Sequence, residues 1–415
     1  MTMNFWERNN CRLCASVQLE RVVEFPPTVA GEHLLKTPDE KQPELINIDL
    51  WQCQDCSHVQ LLTIPNPKDL FNEHYTFMPG DNPKMINHFS TSIDFFLKKF
   101  NPSLSFAFEI GSNDGLYLDL LRERTGCSIL GFDPALSAVK VAGAKGIDTI
   151  HGFFSAGSDE LVLRDHKQPE LIVANNVFAH IDDLRGVTKS ISNLLKEDGY
   201  FMFEISYLKD VVEKYLIGTI LHEHLSVHSI YSLVPFLNEF GLQLVALKHV
   251  DDVQGGAIVG IAKKTAKTIG NENINEVIDS EHKAGITSID GMRQFNRRLK
   301  SKLSTFKKEI LSSFAGKEII CFGAARSAPF IFQLLEIGDK MSFAIDDNPM
   351  KMGKFLPISN IPIYDSKYLK KFTHNSELSF LIAGWAQTER ILKYLRSQFS
   401  GHAACIYPNF EIVEF

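Results

Sequence analysis

Two C-x-x-C pairs near the start of the chain constrain its fold more than any other feature. Cys11 and Cys14 form the first pair, and Cys53 and Cys56 form the second. A C-x-x-C turn places two thiolates on one side of a tight loop, and two such turns complete the tetrahedral shell of a structural Zn²⁺. His58 could replace one ligand, but four thiolates suffice. Because they leave no coordination position open, we expect the zinc to hold a ribbon together and not to catalyse.

The rest of the chain alternates strand-like and helix-like segments. Strands FAFEI, SILGFD, ELIVANNV and YFMFEI are separated by helical segments, and a second set follows with EIICFG, FAIDDN, LSFLIAG and ACIY. Such alternation predicts parallel sheets with helices on both faces. We therefore expect an α/β fold with a zinc-ribbon domain (1–71), a central doubly wound domain (72–265) and a second, Rossmann-like α/β domain (266–415). The last of these begins with a polar stretch and a long helix, from about Met292 to Phe314.

Composition excludes several classes of function. The 43 basic and 50 acidic residues give a net charge of −7, which provides no long-range attraction to nucleic acid. The basic cluster from Arg297 to Lys308 alternates with the apolar stripe of the long helix, as on a solvated helix face. No apolar run of about 18 residues and no secretory signal occur. We expect a cytoplasmic protein, without membrane or nucleic-acid partners, that is a monomer or a weak homo-oligomer.

The first candidate site is the turn E-I-G-S-N-D-G, from Glu109 to Gly115, which follows a strand and opens a helix. Its glycines allow the backbone to approach a ligand, and the helix N-terminus offers unpaired N–H groups. The spacing differs from G-x-G-x-x-G, which disfavours a dinucleotide. Asp133 ends the next strand, where a carboxylate commonly accepts both hydroxyls of a ribose. This combination suits S-adenosylmethionine.

Histidines form the second candidate site. His180 follows the fourth strand of the central domain, where open α/β sheets bind ligands. The segment L-H-E-H-L-S-V-H, residues 221–228, follows the fifth strand and combines three histidines with a glutamate, which provides acid–base capacity near neutral pH. A catalytic metal is disfavoured because Ser226 occupies the second histidine position of an H-E-x-x-H pattern.

Taken together, these motifs resemble those of the S-adenosylmethionine-dependent nucleotide-sugar C-methyltransferases that build branched deoxysugars. The resemblance rests on the double C-x-x-C module, E-I-G-S-N-D-G, N-V-F-A-H-I, H-E-H-L-S, and a C-terminal unit with G-A-A-R-S-A and D-D-N-P. It extends from Cys11 to about Glu414. It implies a zinc-binding domain, a class I methyltransferase domain, and a C-terminal domain that helps to hold a dTDP- or GDP-linked sugar. The implied reaction is methylation, at C3, of a 4-keto sugar through an enolate.

The resemblance also implies roles for individual residues. Tyr75, His180, Glu223 and His224 would line the sugar site, with His224 as the base, and His222 would support them. Arg326 and His228 are candidates for substrate binding. The set expected to bind the cofactor is Glu109, Gly111, Asn113, Asp114, Gly115, Asp133 and Asn176.

One departure from the family leaves the substrate open. Many members have Y-H-E-H-L-S-Y-F-S, whereas this chain has Leu221 in place of the first tyrosine and Val227-His228 in place of Tyr-Phe. A phenol that could stabilise an enolate is therefore missing, so His222, His228 or Tyr75 takes over, or the substrate differs. Two alternative functions are an O- or N-methyltransferase of a small metabolite and a zinc-ribbon binding module; the C-terminal α/β unit argues against the first and the acidic charge against the second.

Overall fold

The computed structural model describes residues 4–71, 78–251, 253, 255–267, 272–372 and 377–415. The N-terminal part is a small β module with proline-rich connections. Its elements are β1 (Phe5–Glu7), β2 (Leu19–Val23), β3 (Leu50–Cys53), β4 (Val59–Gln60), β5 (Thr63–Pro65) and the short helix α1 (Pro67–Leu70). Strands β2, β3 and β4 form an antiparallel sheet, and β1 pairs with β5. The two C-x-x-C pairs lie in the loop before β2 and at the β3–β4 turn.

The central part is the predicted doubly wound α/β domain. Its elements are α2 (Pro83–Phe100), β6 (Phe106–Ile110), α3 (Leu116–Thr125), β7 (Ser128–Asp133), α4 (Leu136–Ala144), β8 (Thr149–His151), α5 (Ser158–Leu163), β9 (Leu171–Asn175), α6 (Leu184–Leu194), β10 (Tyr200–Ser206), α7 (Leu208–Glu213), β11 (Ser226–Val227), α8 (Ile230–Asn238), β12 (Leu242–Val250) and β13 (Ala257–Lys264). Single 3₁₀ turns occur at Pro79–Asp81, Phe178–His180 and Ile217–Thr219.

The central sheet has the order β12-β13-β10-β9-β6-β7-β8. Strands β6 to β10 are parallel, whereas β13 pairs antiparallel with both β10 and β12. The chain runs from β6 outward through β7 to β8 and then returns to the other side of β6 with β9. The order of the strands therefore reverses between β6 and β9, which is where open α/β sheets bind ligands.

The C-terminal part is a second parallel sheet, as predicted. Its elements are α9 (Glu272–Ala284), α10 (Ile289–Ser313), β14 (Ile319–Phe322), α11 (Ala328–Leu335), β15 (Met341–Ile345), β16 (Ile363–Tyr364), β17 (Leu378–Ile382), α12 (Thr388–Gln398), β18 (Gly401–Cys405) and β19 (Glu411–Glu414), with 3₁₀ turns at Gly338–Lys340, Ser366–Lys371 and Trp385–Gln387. The sheet order is β16-β15-β14-β17-β18-β19, and only β19 is antiparallel to its neighbour. The α/β fold class with three domains is confirmed.

Helix α10 packs between the N-terminal module and the C-terminal sheet. Its buried stripe is Met292, Phe295, Leu299, Leu303, Phe306 and Ile310. Burial of such a side chain stabilises the fold by roughly 1.5 to 3 kcal/mol. The apolar pattern of the sequence also places Leu311 on this stripe, but Leu311 is exposed, because it follows Ile310 by one residue and therefore lies about 100° around the helix. Of the basic cluster, Lys300 and Lys307 bond Glu24 and Glu336 on neighbouring elements.

The polar stretch before α10 is more ordered than its composition suggested. It contains helix α9, which packs against α7, α8 and β12. Glu281 on this helix is fully buried, and its carboxylate accepts hydrogen bonds from the backbone N–H groups of Ile230 and Tyr231 at the start of α8. A buried carboxylate at a helix N-terminus satisfies donors that have no partner within the helix. The Glu281 carboxylate therefore joins α9 to the start of α8 and does not face solvent.

The segment after the H-E-H motif joins the N-terminal module. Strand β11 pairs antiparallel with β4, so the sheet of the module has the order β11-β4-β3-β2. Leu61 N–H also donates to Leu225 O at 2.9 Å. We had expected residues 221–228 to belong to the central domain alone. The pairing of β11 with β4 joins residues that are far apart in sequence, and a local sequence pattern cannot predict such pairing.

Two histidines are buried at the junction between this module and the central domain. His222 is 2% exposed, and its Nε2 bonds Ile46 O at 3.1 Å. The His228 ring is 0% exposed and packs between Phe178 and His58, at centroid distances of 5.8 and 5.3 Å. Burial lowers the pKa of His222 and of His228 to about 4, and for His228 the Arg12 cation adds to this effect. Both rings are therefore neutral at pH 7.

These neutral histidines predict a loss of stability in mild acid. A histidine whose pKa is about 4 when folded and about 6.5 when unfolded binds more protons in the unfolded state between those values. The free energy of unfolding should therefore fall as the pH drops from 6.5 towards 4, by up to about 1.4 kcal/mol per pH unit for each histidine. The variant His228→Phe fits the aromatic surroundings and should lose part of this dependence. Urea unfolding at pH 7.5 and 5.5 measures it, and an equal pH effect in both proteins would refute the explanation.

Candidate active site

A cavity of about 360 Å³ opens at the carboxyl ends of β6, β7 and β9, at the point where the strand order reverses. Its walls come from all three parts of the chain. The N-terminal module contributes Phe71, the loops after the central strands contribute most of the remainder, and the C-terminal domain contributes Arg326. Among the residues predicted for the site, those that line the cavity are Glu109, Gly111, Asn113, Asp133, Asn176, His180, Glu223, His224 and Arg326.

The glycine turn after β6 brings backbone to the cavity wall. Gly111 has a φ of +68°, and a Cβ there would lie 2.3 Å from Val177 Cγ2. Asn113 also has a positive φ, of +50°, and its N–H donates to Asp133 Oδ2 at 2.8 Å. Asparagine tolerates this conformation better than most residues. The turn is therefore fixed by sterics on one side and by the carboxylate of β7 on the other.

Two buried carboxylates lie at this end of the cavity. Asp133 accepts N–H hydrogen bonds from Asn113 and Ala135, and burial raises its pKa. Glu109 accepts a hydrogen bond from Asn175 Nδ2 at 3.2 Å, whereas its Oε2 has no hydrogen-bond partner in the part of the chain that the structure describes. Burial raises the pKa of Glu109 well above its usual range. A donor on a ligand can satisfy an acceptor that lies at the cavity wall and lacks a hydrogen-bond partner.

Asp114 and Gly115, which we expected to contact the cofactor, do not line the cavity. Asp114 Oδ2 accepts hydrogen bonds from Gly80 N–H at 3.1 Å and from Lys145 Nζ at 3.0 Å, and it thereby holds the turn before α2. Gly115 has a φ of +77° at the start of α3, and a Cβ there would lie 2.4 Å from Ile147 Cδ1. In this structure both residues shape the turn and do not face the ligand space.

A buried polar chain beneath the cavity was not predicted. Asn176, with a φ of +53°, lines the cavity and donates from Nδ2 to Glu204 Oε1 at 2.6 Å. Glu204 is 0% exposed and also bonds His88 Nε2 on α2. The sequence offered one signal: a glutamate inside the otherwise apolar strand YFMFEI, where a buried carboxylate requires partners. His88 itself had no such signal.

His180 and His224 lie together at the other end of the cavity. Their rings stack with centroids 5.0 Å apart, and Phe71 stacks on His180 as well. Burial first, and then His224 and the Arg326 cation, lower the pKa of His180 well below its usual range. His224 Nδ1 bonds Thr219 O at 2.5 Å. Because a carbonyl oxygen only accepts, Nδ1 carries the hydrogen, and in the neutral ring Nε2 is the basic nitrogen.

Glu223 and Arg326 form an ion pair across two domains. Arg326 Nη1 lies 2.5 Å from Glu223 Oε2, and both side chains line the cavity next to His224. Arg326 lies in the turn between β14 and α11, whereas Glu223 belongs to the segment after α7. The pair therefore fixes the C-terminal domain against the histidine-containing loop. It also leaves a guanidinium at the cavity wall, which is suited to bind phosphate oxygens.

Two other predicted residues are not brought to the cavity. His222 and His228 are packed at the junction with the N-terminal module. His222 lies inside the tight turn that the hydrogen bond from His224 N–H to Leu221 O closes, and His228 follows strand β11. This differs from our expectation that they support catalysis or bind substrate. Tyr75, which we also expected at the sugar site, lies outside the described residues.

The four paired cysteines converge as a metal site requires. Cys11 Sγ lies 3.5 Å from Cys56 Sγ, Cys14 Sγ lies 3.5 Å from Cys53 Sγ, and all four sulfurs lie within 4.8 Å of one another. Tetrahedral zinc with Zn–S bonds of about 2.3 Å separates its sulfurs by about 3.8 Å. The donor set therefore fits a closed structural zinc site. His58 is not part of the cluster; its Nε2 bonds Ser226 Oγ at 3.1 Å.

Comparison with known proteins agrees with this geometry. Three family models match: a zinc binding domain (residues 11–71), a methyltransferase domain (84–247) and a C-methyltransferase C-terminal domain (252–408). The chain is similar to the C-methyltransferase NovU of Streptomyces niveus, with 30% identity over 363 residues that cover 86% of this chain and 85% of that protein.

Among solved structures, the chain is similar to S-adenosylmethionine-dependent methyltransferases from two bacteria. One is from Thermotoga maritima, with 17% identity, 44% of this chain and 92% of that chain covered, and a TM-score of 0.34. The other is from Clostridium acetobutylicum, with 13% identity, 44% and 92% covered, and a TM-score of 0.36. In the described residues, no helix combines the length and apolar character that crossing a bilayer demands.

The zinc site predicts that metal and folding of the N-terminal module are linked. Purified protein should contain one zinc per chain, and the double variant Cys53→Ser, Cys56→Ser should lose it. The variant should then melt at a lower temperature, because the ligands close loops that a small module cannot otherwise hold. Metal analysis and calorimetry test this. A variant that lacks zinc but melts like the wild-type protein would contradict it.

Asp133 predicts a specific loss of cofactor affinity. Asp133→Asn keeps the size of the side chain but removes the charge, so binding of S-adenosylmethionine should weaken by about 1.5 to 3 kcal/mol, or roughly 10- to 150-fold. Asp346 offers a matched control. It follows β15, the second strand along the chain in the C-terminal sheet, as Asp133 ends β7 in the central sheet, and it accepts hydrogen bonds from the N–H groups of Ala324 and Asn348. Asp346→Asn should leave the affinity within about twofold. Calorimetry that gives equal affinities for both variants would place the ribose elsewhere.

Proposed function

Because the chain belongs to the C-methyltransferase family, with its zinc-binding, methyltransferase and C-terminal domains, we propose that it methylates a carbon beside the ketone of a nucleotide-linked sugar. The substrate would be a 4-keto hexose or deoxyhexose, and the methylated atom its C3. The observation that carries this proposal is His224, a histidine at the cavity wall whose Nδ1 is held by a backbone carbonyl and whose Nε2 is therefore basic.

The end of the cavity near β6 and β7 fits S-adenosylmethionine, which supplies a methyl group on a sulfonium. The Gly111 turn allows close approach of the ligand, and Asp133 lies where a carboxylate can accept hydrogen bonds from a ribose. Glu109 Oε2, which is buried without a hydrogen-bond partner in the described chain, would accept a hydrogen bond from the bound molecule. Asn113 and Asn176 would complete this wall.

His224 would act as the general base. The hydrogen bond from Nδ1 to Thr219 O fixes the tautomer and the plane of the ring, so Nε2 is presented in one orientation. In the proposed step Nε2 takes the proton from C3, and the electron pair of that C–H bond moves into the enolate of the substrate. The C3 carbanion form then attacks the methyl carbon as the bond from methyl to sulfur breaks. The sulfur keeps the electron pair of the broken bond, so the net products would be the C-methylated ketone, S-adenosylhomocysteine and a protonated His224.

His180 would stabilise the developing enolate. Its lowered pKa keeps the ring neutral at pH 7, so one nitrogen can donate a hydrogen bond without supplying a full positive charge. The stacking of His180 on His224 and Phe71 holds the ring in place. A neutral neighbour also leaves His224 free to accept the proton, because two adjacent imidazolium ions would repel each other.

Glu223 and Arg326 would orient the nucleotide-sugar. Arg326 belongs to the C-terminal domain and can bind a diphosphate with two parallel hydrogen bonds, while Glu223 can accept a sugar hydroxyl. A dTDP- or a GDP-linked sugar would satisfy this chemistry. Tyr75 stays a proposed contributor of a phenol at the sugar site, where Leu221 replaces the tyrosine of many relatives.

The base assignment predicts loss of proton exchange. His224→Asn keeps a donor for Thr219 O where Nδ1 stood, but it removes the basic Nε2. In deuterated water, with S-adenosylhomocysteine in the cofactor site, the wild-type enzyme should exchange the C3 hydrogen of the ketosugar. His224→Asn should slow both this exchange and methylation by about 10²- to 10⁴-fold. Mass spectrometry of the recovered sugar measures the exchange.

His222 provides the matched control from the same loop. His222→Gln retains a donor for Ile46 O, and because His222 lies outside the cavity, it should slow exchange far less than His224→Asn. Calorimetry should show that His224→Asn binds S-adenosylmethionine as the wild-type protein does. Full activity of His224→Asn, or an equal loss in His222→Gln, would show that the base is another group.

A further inference from the structure

Arg12, between the zinc ligands Cys11 and Cys14, has a side chain that is 0% exposed and that takes no part in the thiolate cluster. We propose that Arg12 is a positioning residue that couples the zinc loop to the His180–His224 pair. The inference rests on the proposed function, because it gives those two histidines their roles. The evidence is the set of contacts that Arg12 makes with the loop of His180 and with the loop of His224.

On one side, Arg12 holds the chain that leaves His224. Arg12 Nη1 donates to Leu225 O at 3.1 Å and to Leu61 O at 2.5 Å. Leu225 directly follows His224, and its carbonyl also accepts a hydrogen bond from Leu61 N–H. The guanidinium thus completes the edge at which β11 joins β4. The carbonyl next to the proposed base has two donors, and both come from the zinc-binding module.

On the other side, Arg12 holds the loop after His180. Arg12 Nε lies 3.2 Å from Asp182 Oδ1, and Asp182 follows His180 by two residues and lines the cavity. Arg8 binds the same residue, with Nη1 donating to Asp182 O and to Oδ1. The fork of one guanidinium therefore reaches both histidine loops. A lysine carries all its donors on one nitrogen, so it cannot place charge at both the Nε and the Nη1 positions from which Arg12 reaches the two loops.

The burial of Arg12 explains why these contacts should be rigid. A buried cation is costly unless it is paired and hydrogen-bonded. Here Nη1 donates to two backbone carbonyls and Nε faces one carboxylate at ion-pair distance, whereas Nε and Nη2 make no hydrogen bond within the described residues, so the guanidinium has no partner to spare. Movement of either loop would leave the charge with fewer partners. The zinc loop, which the four thiolates hold, thereby fixes the distance between the two histidine rings. Misplacement of catalytic groups by about 1 Å can cost about 10²-fold in rate.

The test compares Arg12→Lys and Arg12→Gln with Arg185→Gln. Arg185 is a matched control, because its Nη1 donates to Leu13 O in the same zinc loop, whereas Arg12 bonds the chain beside both histidines. For each protein we would measure bound zinc, the affinity for S-adenosylmethionine, kcat and KM, and the ¹⁵N resonances of the histidine rings without substrate. His224→Asn would assign the His224 signals.

We expect Arg12→Lys to keep its zinc and its cofactor affinity but to lose about 10- to 100-fold in kcat. Loss of the bond to Leu225 O should let the chain beside His224 shift, so that the ring no longer bonds Thr219 O. The His224 signal should then move away from that of a pure Nδ1–H tautomer. Arg185→Gln should change kcat by less than about twofold, and it should shift the His224 signal by less than one line width. Normal kcat and an unchanged His224 signal in Arg12→Lys, or equal losses in the Arg12 and Arg185 variants, would overturn the inference.

A second variant covers the case in which both Arg12 variants fail to fold. Asp182→Asn removes the charge partner from outside the zinc loop, and we expect shifted His180 resonances with zinc retained. Unchanged His180 resonances would overturn the inference. If the wild-type protein does not methylate a ketosugar, the proposed function fails, whereas the resonances of His180 and His224 still decide whether Arg12 positions them.

Discussion

The antiparallel pairing of β11 with β4 is the contact on which the arrangement of the site depends. It takes a segment that follows the fifth parallel strand of the central domain and makes it the edge of the zinc module's sheet, with Val227 opposite Val59. The chain on the N-terminal side of this strand contains Glu223 and His224, so the sheet of a separate module determines where these side chains lie. Ordering a free loop of this length would cost conformational entropy. Here the backbone hydrogen bonds of the ladder and the closed thiolate cluster supply the constraint.

The same constraint explains why the cavity needs three domains. The switch point between β6 and β9 supplies a cofactor site of the usual doubly wound kind, with a glycine turn and a carboxylate. The histidine loop brings His224, the proposed base, to the other end of the cavity. The C-terminal domain adds the guanidinium of Arg326, which is paired with Glu223. The cofactor turn, the proposed base and the cation proposed to bind phosphate thus lie in one cavity, although the cation comes from the C-terminal domain and the segment of the base joins the sheet of the zinc module.

Local pattern was enough to predict the α/β architecture, the long helix and the thiolate cluster. Period-2 and period-3.6 apolar patterns report burial directly, and C-x-x-C spacing reports a turn. The same reasoning could not separate His224 from His222 and His228, because residues an even number of positions apart look alike to a period-2 pattern. A tight turn from Leu221 to His224 and the long-range pairing of β11 with β4 decide which ring reaches the cavity. Helix α9 was also missed: its polar composition hid Glu281, whose buried carboxylate bonds the start of α8. His88 and Arg12 had no local signal, since Glu204, the partner of His88, and Leu225, a partner of Arg12, lie over 100 residues away in sequence.

The most direct test of the account is the position of the transferred methyl group. The enzyme would be incubated with S-adenosylmethionine labelled with ¹³C at the methyl carbon and with dTDP- and GDP-linked 4-keto sugars, and the product examined by carbon–proton correlation. The account predicts a labelled methyl group bonded to the carbon beside the ketone, and correlated with the carbonyl carbon. A labelled methyl group on oxygen or nitrogen, with no label on carbon from any ketosugar, would contradict it.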